Sequence, residues 1–255
     1  MKVLGILGAH KQHGVTAKLL ATTLAAVPDS TETETIYLED YDIHPDIKGQ
    51  SNPVLDELTK KLLASDVWVF AAPTFWGGLS GVTKNFLDCL RWRLVRIDHV
   101  GDAHPDRFKN KHYLSITDCY ISPINNFFTG ITDETFKQID RVMSAAGVIK
   151  IHEIVCPNTF KNGDHIPESK LQLCRKWGAR LPQKSKRDDN TMKRYVELFC
   201  MIAVMSLITM GIQRALSGVL TQTNFWINWG TFVVIFFVLL AIILHTVTFL
   251  VHRRR

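Results

Sequence analysis

The sequence holds five cysteines, Cys89, Cys119, Cys156, Cys174 and Cys200, but no C-x-x-C pair. An odd count at scattered spacing argues against a disulfide framework and a zinc site. Reduced thiols in a cytosolic domain are expected instead, and no metal site is expected. The N-terminus, MKVLGILGAH, lacks the cleavage site and the longer apolar run of a signal peptide. It reads as a buried strand. The order G-x-x-x-x-G-K-[ST] is missing, so an ATPase phosphate loop is excluded; G-x-G-x-x-G is also missing, which disfavours a Rossmann dinucleotide site. There is no RNA or DNA motif, no internal repeat and no low-complexity tract. Charge itself is nearly absent from residues 195–252.

What is present divides accordingly. A chain of 255 residues can hold one medium domain with something appended. The net charge of +6 is concentrated around the uncharged tail, with Lys184, Lys186, Arg187, Lys193 and Arg194 before it and Arg253, Arg254 and Arg255 after it. That placement suits anionic lipid better than a nucleic-acid backbone, and no nucleic-acid partner is expected. Residues 231–251, TFVVIFFVLLAIILHTVTFLV, contain one ionisable side chain, His245. About 20 apolar residues cross a bilayer core, so this run is expected to be a transmembrane helix. The segment 195–213, with Glu197 near one end, is expected to pair with it as a hairpin over 195–252. Residues 182–194 form a basic linker. Two passes put both basic clusters on one side, and the positive-inside rule then places the domain and the C-terminus in the cytoplasm, on a multi-pass anchor in the cell membrane. Phe225, Trp226 and Trp229 would sit at the far interface. The alternative is an apolar helical pair packed on a soluble core.

Residues 1–181 alternate strand and helix. Residues 2–7, 33–38, 67–72, 112–117 and 148–155 read as strands. Helical periodicity is expected over 15–26, 54–64, 80–93, 132–146 and 167–181, with Ser80 and Thr132 as N-caps. The run VWVFAA at 67–72 is apolar on both faces, as in the interior of a covered parallel sheet. Five strands alternating with five helices make a doubly wound α/β sheet. Ligands bind such sheets at the carboxyl ends of the strands, beside the switch point.

Two loops at that edge carry chemistry. The first is Gly8-Ala9-His10-Lys11-Gln12-His13-Gly14-Val15-Thr16. It leads into a helix N-terminus, where backbone N–H groups and the dipole favour an anion. The second is Pro73-Thr74-Phe75-Trp76-Gly77-Gly78, followed by Leu79-Ser80-Gly81-Val82-Thr83-Lys84-Asn85-Phe86-Leu87-Asp88. Phe75 and Trp76 offer flat apolar faces, and the paired glycines let backbone approach a planar ligand.

The second stretch resembles the NADPH-dependent FMN reductases, flavodoxin-like flavoproteins that include NAD(P)H:quinone oxidoreductases. Their pattern is roughly S-P-x-Y-W-x-x-x-S-G-x-L-K-x-F-I-D-R. Pro73, Trp76, Ser80, Gly81, Lys84, Phe86 and Asp88 match it, while Phe75, Leu87 and Cys89 replace Tyr, Ile and Arg. The family's first loop, G-S-P-R-x-x-G-N-T, is matched by Gly8, Gly14 and Thr16, with Lys11 standing for Arg; Ala9, His10 and Val15 depart from it. The resemblance covers about residues 1–181. It implies a flavodoxin-like fold that binds FMN, with NADPH or NADH as electron donor and a small acceptor such as a quinone. It further implies that the first loop holds the FMN phosphate and the second lines the flavin ring. Thr117, Asp118 and Tyr120, after the fourth strand, would complete the ring site. A homodimer is implied too. No general acid or base is needed, so no catalytic residue is assigned. Some relatives bind an iron–sulfur centre through cysteines after strand two; this chain has Asp42-Ile43-His44-Pro45-Asp46-Ile47 there. An anchored flavodoxin-type carrier and a non-catalytic flavodoxin-fold membrane protein are the alternative readings.

Overall fold

A computed structural model describes residues 1–162, 165–184, 191–216 and 225–252, without the side chains of 162, 191–198, 216 and 241–252. The chain forms two units, Met1–Arg187 and Asp188–Arg255.

In the first unit, β1 (Lys2–Leu7), β2 (Glu32–Tyr37), β3 (Val67–Ala71), β4 (His112–Asp118) and β5 (Ile149–Cys156) form one parallel sheet in the order β2-β1-β3-β4-β5. The helices between and after them are α1 (Val15–Ala25), α2 (Pro53–Ala64), α3 (Gly81–Cys89), α4 (Pro123–Thr129), α5 (Asp133–Ala145) and α6 (Glu168–Arg180). The chain runs outward from β1 to β2, then returns past β1 to β3. The loops after β1 and β3 therefore leave in opposite directions and open a crevice between them. Register brings their ends level: Leu7 lies beside Ala71, and Ala71 beside Ile116.

The period of two along each strand builds a core on either face. Every residue of β3 is buried. Val67, Val69 and Ala71 pack with Val3, Leu7, Leu114 and Ile116 against Leu19 and Leu20 of α1 and Cys174 of α6. Trp68 and Phe70 face the other way and pack with Leu4, Ile6 and Tyr113 against Leu55 and Leu58 of α2, Phe86 of α3 and Ile139 of α5. Each such side chain contributes about 1.5–3 kcal/mol by leaving water. Helix α2 starts where Asn52 accepts the Leu55 N–H at 3.1 Å and Pro53 supplies a preset φ. Helices α1 and α6 touch through Gly178, where a Cβ would stand 2.0 Å from the Thr23 carbonyl oxygen.

Some local expectations are corrected. The helix expected over 80–93 ends at Cys89, and a separate turn follows at Arg91–Leu94. Ser80 and Thr132 occupy N-cap positions, but neither side chain caps its helix. The Ser80 hydroxyl donates to Gly8 O instead, and that of Thr132 is engaged with Asn126. Helix α4 was not expected. It starts where Ser122 accepts the Asn125 N–H and stops at Gly130, whose φ is 57°. The polar stretch after α3 holds an antiparallel ribbon, Val95–Ile97 against Ala103–Pro105, too short to show alternation.

The second unit pairs α7 (Thr191–Leu216) with α8 (Phe225–His252). Gln213 Nε2 donates to the Asn228 carbonyl oxygen at 2.8 Å and to Thr231 Oγ1 at 2.7 Å, so the end of α7 lies beside the start of α8. Arg214 belongs to α7. Among the described residues no helix is long and apolar enough to cross a membrane. The expected transmembrane hairpin is therefore not supported. Helix α7 carries Lys193, Arg194, Glu197 and Arg214, and the described side chains of α8 stop at residue 240, inside the expected span of 231–251.

Candidate functional site

Loops after β1, β3, β4 and β5 meet at the carboxyl edge of the sheet around a cavity of about 550 Å³. The first loop supplies Ala9, His10, Lys11, Gly14, Val15 and Thr16; the second supplies Pro73 and Phe75; the third supplies Asp118 and Tyr120. Thr159 and Phe160, from the loop after β5, complete the wall.

The first loop is built around close contact at its start. A Cβ on Gly8 would lie 1.7 Å from Thr83 Oγ1, so only glycine fits beneath α3. Gly14, in an extended conformation, precedes α1 and has no side chain to cap it. The first N–H groups of α1 have no carbonyl partner within the helix, and its first turn contains no acidic residue. With Lys11 exposed alongside, this end of the cavity favours an anion. His10 Nδ1 meets a Glu39 carboxylate oxygen, and Gln12 Nε2 donates to Asp40 Oδ1 at 2.9 Å. These contacts tie the loop to the segment after β2.

One group opposes that charge. The Thr16 hydroxyl donates to Asp118 Oδ1 across the cavity floor. Burial pushes the Asp118 carboxyl above the usual carboxylate range, while the Thr16 bond pulls it back. Asp118, expected beside the ring, is thus in contact with the first loop.

The second loop is a hairpin. Thr74 and Phe75 pair with Leu79 and Gly78, and the turn between them holds Trp76 at φ 54° and Gly77 at φ 78°. Two successive positive φ values are those of a type I′ turn, whose twist matches the strands. The turn lifts Trp76 and Gly77 away from the cavity, and Trp76 is fully exposed at 103%. Phe75 stays on the cavity side, its ring parallel to that of His10 at 6.2 Å between centroids. Thr74 and Thr117 are buried and bonded to each other at 2.8 Å, with Thr135 the same distance from Thr74. They brace the wall from behind.

Gly8, Thr74, Trp76, Gly77, Gly78 and Thr117 therefore do not line the cavity, although each lies in a loop that forms it. Thr159 and Phe160 were missed. The Thr159 N–H donates to Cys119 O at 3.1 Å and the Asn158 N–H to Ile121 O at 2.7 Å, which draws the β5 loop to the rim. Their signal was position alone, just past the end of a fifth parallel strand. The lining has a cationic, N–H-rich end and an aromatic end, an arrangement suited to a planar ring bearing an anionic arm.

The fold is that of a flavodoxin-like α/β protein, with a candidate ligand cleft at the switch point of its sheet. Residues 1–119, which span β1 to β4 and the first two loops, match the family described as NADPH-dependent FMN reductase. An iron–sulfur flavoprotein of Methanocaldococcus jannaschii is 33% identical over 108 residues, 38% of this chain and 54% of that protein. A Bacillus subtilis protein, provisionally assigned as an NAD(P)H-dependent FMN-containing oxidoreductase, is 36% identical over 69 residues, 24% of this chain and 37% of that protein. The chain thus spans about half the length of these curated relatives, or less. Among solved structures, an azoreductase superposes with TM-score 0.57 at 15% identity, covering 71% of this chain and all of that one (100%). An NAD(P)H:quinone oxidoreductase from Methanothermobacter marburgensis superposes with TM-score 0.57 at 13% identity, covering 71% and 96%. At such identities the structures establish the fold. Among the described residues no cluster of three or more His, Cys, Asp or Glu could hold a metal ion.

Proposed function

We propose that this protein is an FMN-dependent oxidoreductase that takes electrons from NADH or NADPH and passes them to a small acceptor such as a quinone. The observation that carries the reading is the convergence of four loops, two of them wholly within the family match, on one cleft of about 550 Å³. That volume lies within the range of roughly 300–1,000 Å³ usual for cofactor sites. Lys11, the N–H groups of Val15 and Thr16, and the Thr16 hydroxyl would hold the phosphate. Pro73, Phe75 and Tyr120 would flank the ring. The chemistry a bound FMN supplies is hydride acceptance from a nicotinamide and release of electrons to an acceptor. The chain's own residues bind, orient and exclude water, and none of them has to carry a proton for that chemistry. The test is the visible spectrum of the purified full chain supplied with FMN, before and after anaerobic NADPH or NADH. Flavin bands that bleach support the reading. Bands that persist would favour a carrier of the flavodoxin type. A protein that retains no flavin overturns the proposal.

Membrane attachment through the second unit, with the first unit and C-terminus in the cytoplasm, is part of the same proposal. Its support is the nearly uncharged stretch 195–252 between basic flanks, together with exposed Phe199, Leu207, Trp226 and Phe237. Apolar surface on this scale calls for a cover. Full-length protein released from membranes by alkaline carbonate would remove it. A homodimer is proposed on the resemblance alone, and sedimentation in detergent decides it.

A further inference from the structure

The carboxyl of Asp118 stands where the flavin reading puts a phosphate. Its Oδ1 accepts the hydroxyl of Thr16, the second residue of α1, and it shares the cavity wall with Lys11, Gly14 and Val15. An ionised carboxylate there would repel a phosphate and occupy a hydroxyl the phosphate could use. A neutral carboxyl would do neither, since it carries a proton to donate.

We propose that Asp118 sets the charge this end of the cleft accepts: it takes up one proton from solvent when a phosphate monoester docks at the N-terminus of α1, and donates that proton in a hydrogen bond to the phosphate. The inference rests on the flavin reading of the cleft and adds a specificity residue to it. No bond to carbon, phosphorus or sulfur changes, and the only species transferred is the proton.

The surroundings fit a carboxyl that protonates readily. It is desolvated, and its hydrogen bonds run to Thr16 and its own backbone rather than to a cation. Among the described residues, the groups facing it from neighbouring elements are few. From the first loop come Lys11 and His10, the latter engaged with Glu39. From α6, Lys170 lies close enough to act on Cys119 and Cys156. Those two thiols are held protonated by burial, Cys156 with its pKa raised to about 11, so neither adds charge at neutral pH. Thr159 on the β5 side is neutral. A docked phosphate, as a like charge, raises the carboxyl further.

The test measures dissociation constants for FMN and for riboflavin, which lacks the phosphate, by fluorescence quenching from pH 6.5 to 8.0, in the full chain and in Asp118→Asn. Coupling to one proton weakens FMN binding by up to tenfold per pH unit, so a weakening of about tenfold over this range is expected in the natural chain. Riboflavin should show no such trend. Asparagine keeps a donor but gains no proton, so FMN binding by Asp118→Asn should not weaken with pH. The second ionisation of the phosphate itself, near pH 6, is common to both proteins. Riboflavin binding of equal strength in the two proteins shows that the variant is folded. Equal pH trends for FMN in the two proteins, with riboflavin bound by both, overturn the inference and leave the flavin site standing. Failure of both flavins to bind overturns the flavin reading and this inference together.

Discussion

The hydroxyl of Ser80 donates to the carbonyl oxygen of Gly8 at 2.6 Å, and Thr83 Oγ1 lies 2.8 Å from Ser80 Oγ. The start of the first loop is thereby clamped to the start of α3, and one side of the cleft is fixed to the other. A side chain on Gly8 has no room: its Cβ would lie 1.7 Å from Thr83 Oγ1 and 2.9 Å from Thr83 Cβ. Gly8→Ala should cost about 1–3 kcal/mol, the usual penalty of overpacking, and weaken flavin binding. Adding Thr83→Ala should recover part of the loss, because the nearest atom goes and the next remains close. Denaturant unfolding of the single and double variants checks this; full additivity of the two would show that the residues are not in contact.

The strain at Trp76 is the reverse case. A non-glycine residue at φ 54° pays roughly 1–2 kcal/mol relative to the ordinary helical region, and full exposure returns no packing. Trp76→Asn should stabilise the protein by about 1 kcal/mol, since asparagine is favoured in type I′ turns. It should leave riboflavin affinity within about twofold, because the side chain stands outside the cavity. Phe75→Ala, on the cavity side, should weaken riboflavin about tenfold, the upper end of an aromatic stacking contribution. Calorimetric titration of both variants separates the roles; a large loss at Trp76 would mean that the hairpin folds over the ring.

Arg93 anchors the long loop after β2. Its Nε and Nη2 donate to the two carboxylate oxygens of Asp46, each at 2.7 Å, and Nη1 donates to Asp56 at 2.6 Å. The Arg93 side chain is only 16% exposed, so solvent screening is partial. The guanidinium holds the Asp46 carboxyl below the usual range. A depressed folded-state pKa contributes stability above the unfolded value, near 3.9, and loses it as pH falls through the folded value. Arg93→Ala should therefore cost about 1–2 kcal/mol at pH 7, and the difference from the natural chain should shrink below about pH 4. Urea melts at pH 7 and pH 3.5 test it, and a penalty unchanged at pH 3.5 would refute the pairing.

The parallel sheet was legible because its signals are local and repeated. The all-apolar β3 can only be an interior strand, and the glycines at 8 and 14 mark the turn before α1. The cleft lining was legible only as loops. Which residue of a loop faces inward depends on the turn type. Nothing in Phe75-Trp76-Gly77-Gly78 announces that Trp76 rather than Gly77 opens a type I′ turn, and that choice sends Trp76 outward. The contact of Thr16 with Asp118 joins α1 to β4, residues far apart in sequence, and no spacing rule reports it. The tail's reading rests on apolar length and flanking charge, and neither fixes how its two helices pack.

Asp118 gives a prediction that needs no ligand. Burial raises its folded-state pKa above the unfolded value. The sign is therefore opposite to that of Asp46: the neutral carboxyl is fully compatible with the fold below about pH 3.9, and stability is lost as pH rises through the folded value. Asp118→Asn carries no such loss, and its amide oxygen can still accept from Thr16. In the absence of flavin the variant should melt at a higher temperature than the natural chain at pH 7.5. The gap should close as pH approaches 4. Thermal melts across that range decide the point, because a gap that stays constant with pH would mean that the substitution acts through packing and that the carboxyl is as easily charged in the fold as in water.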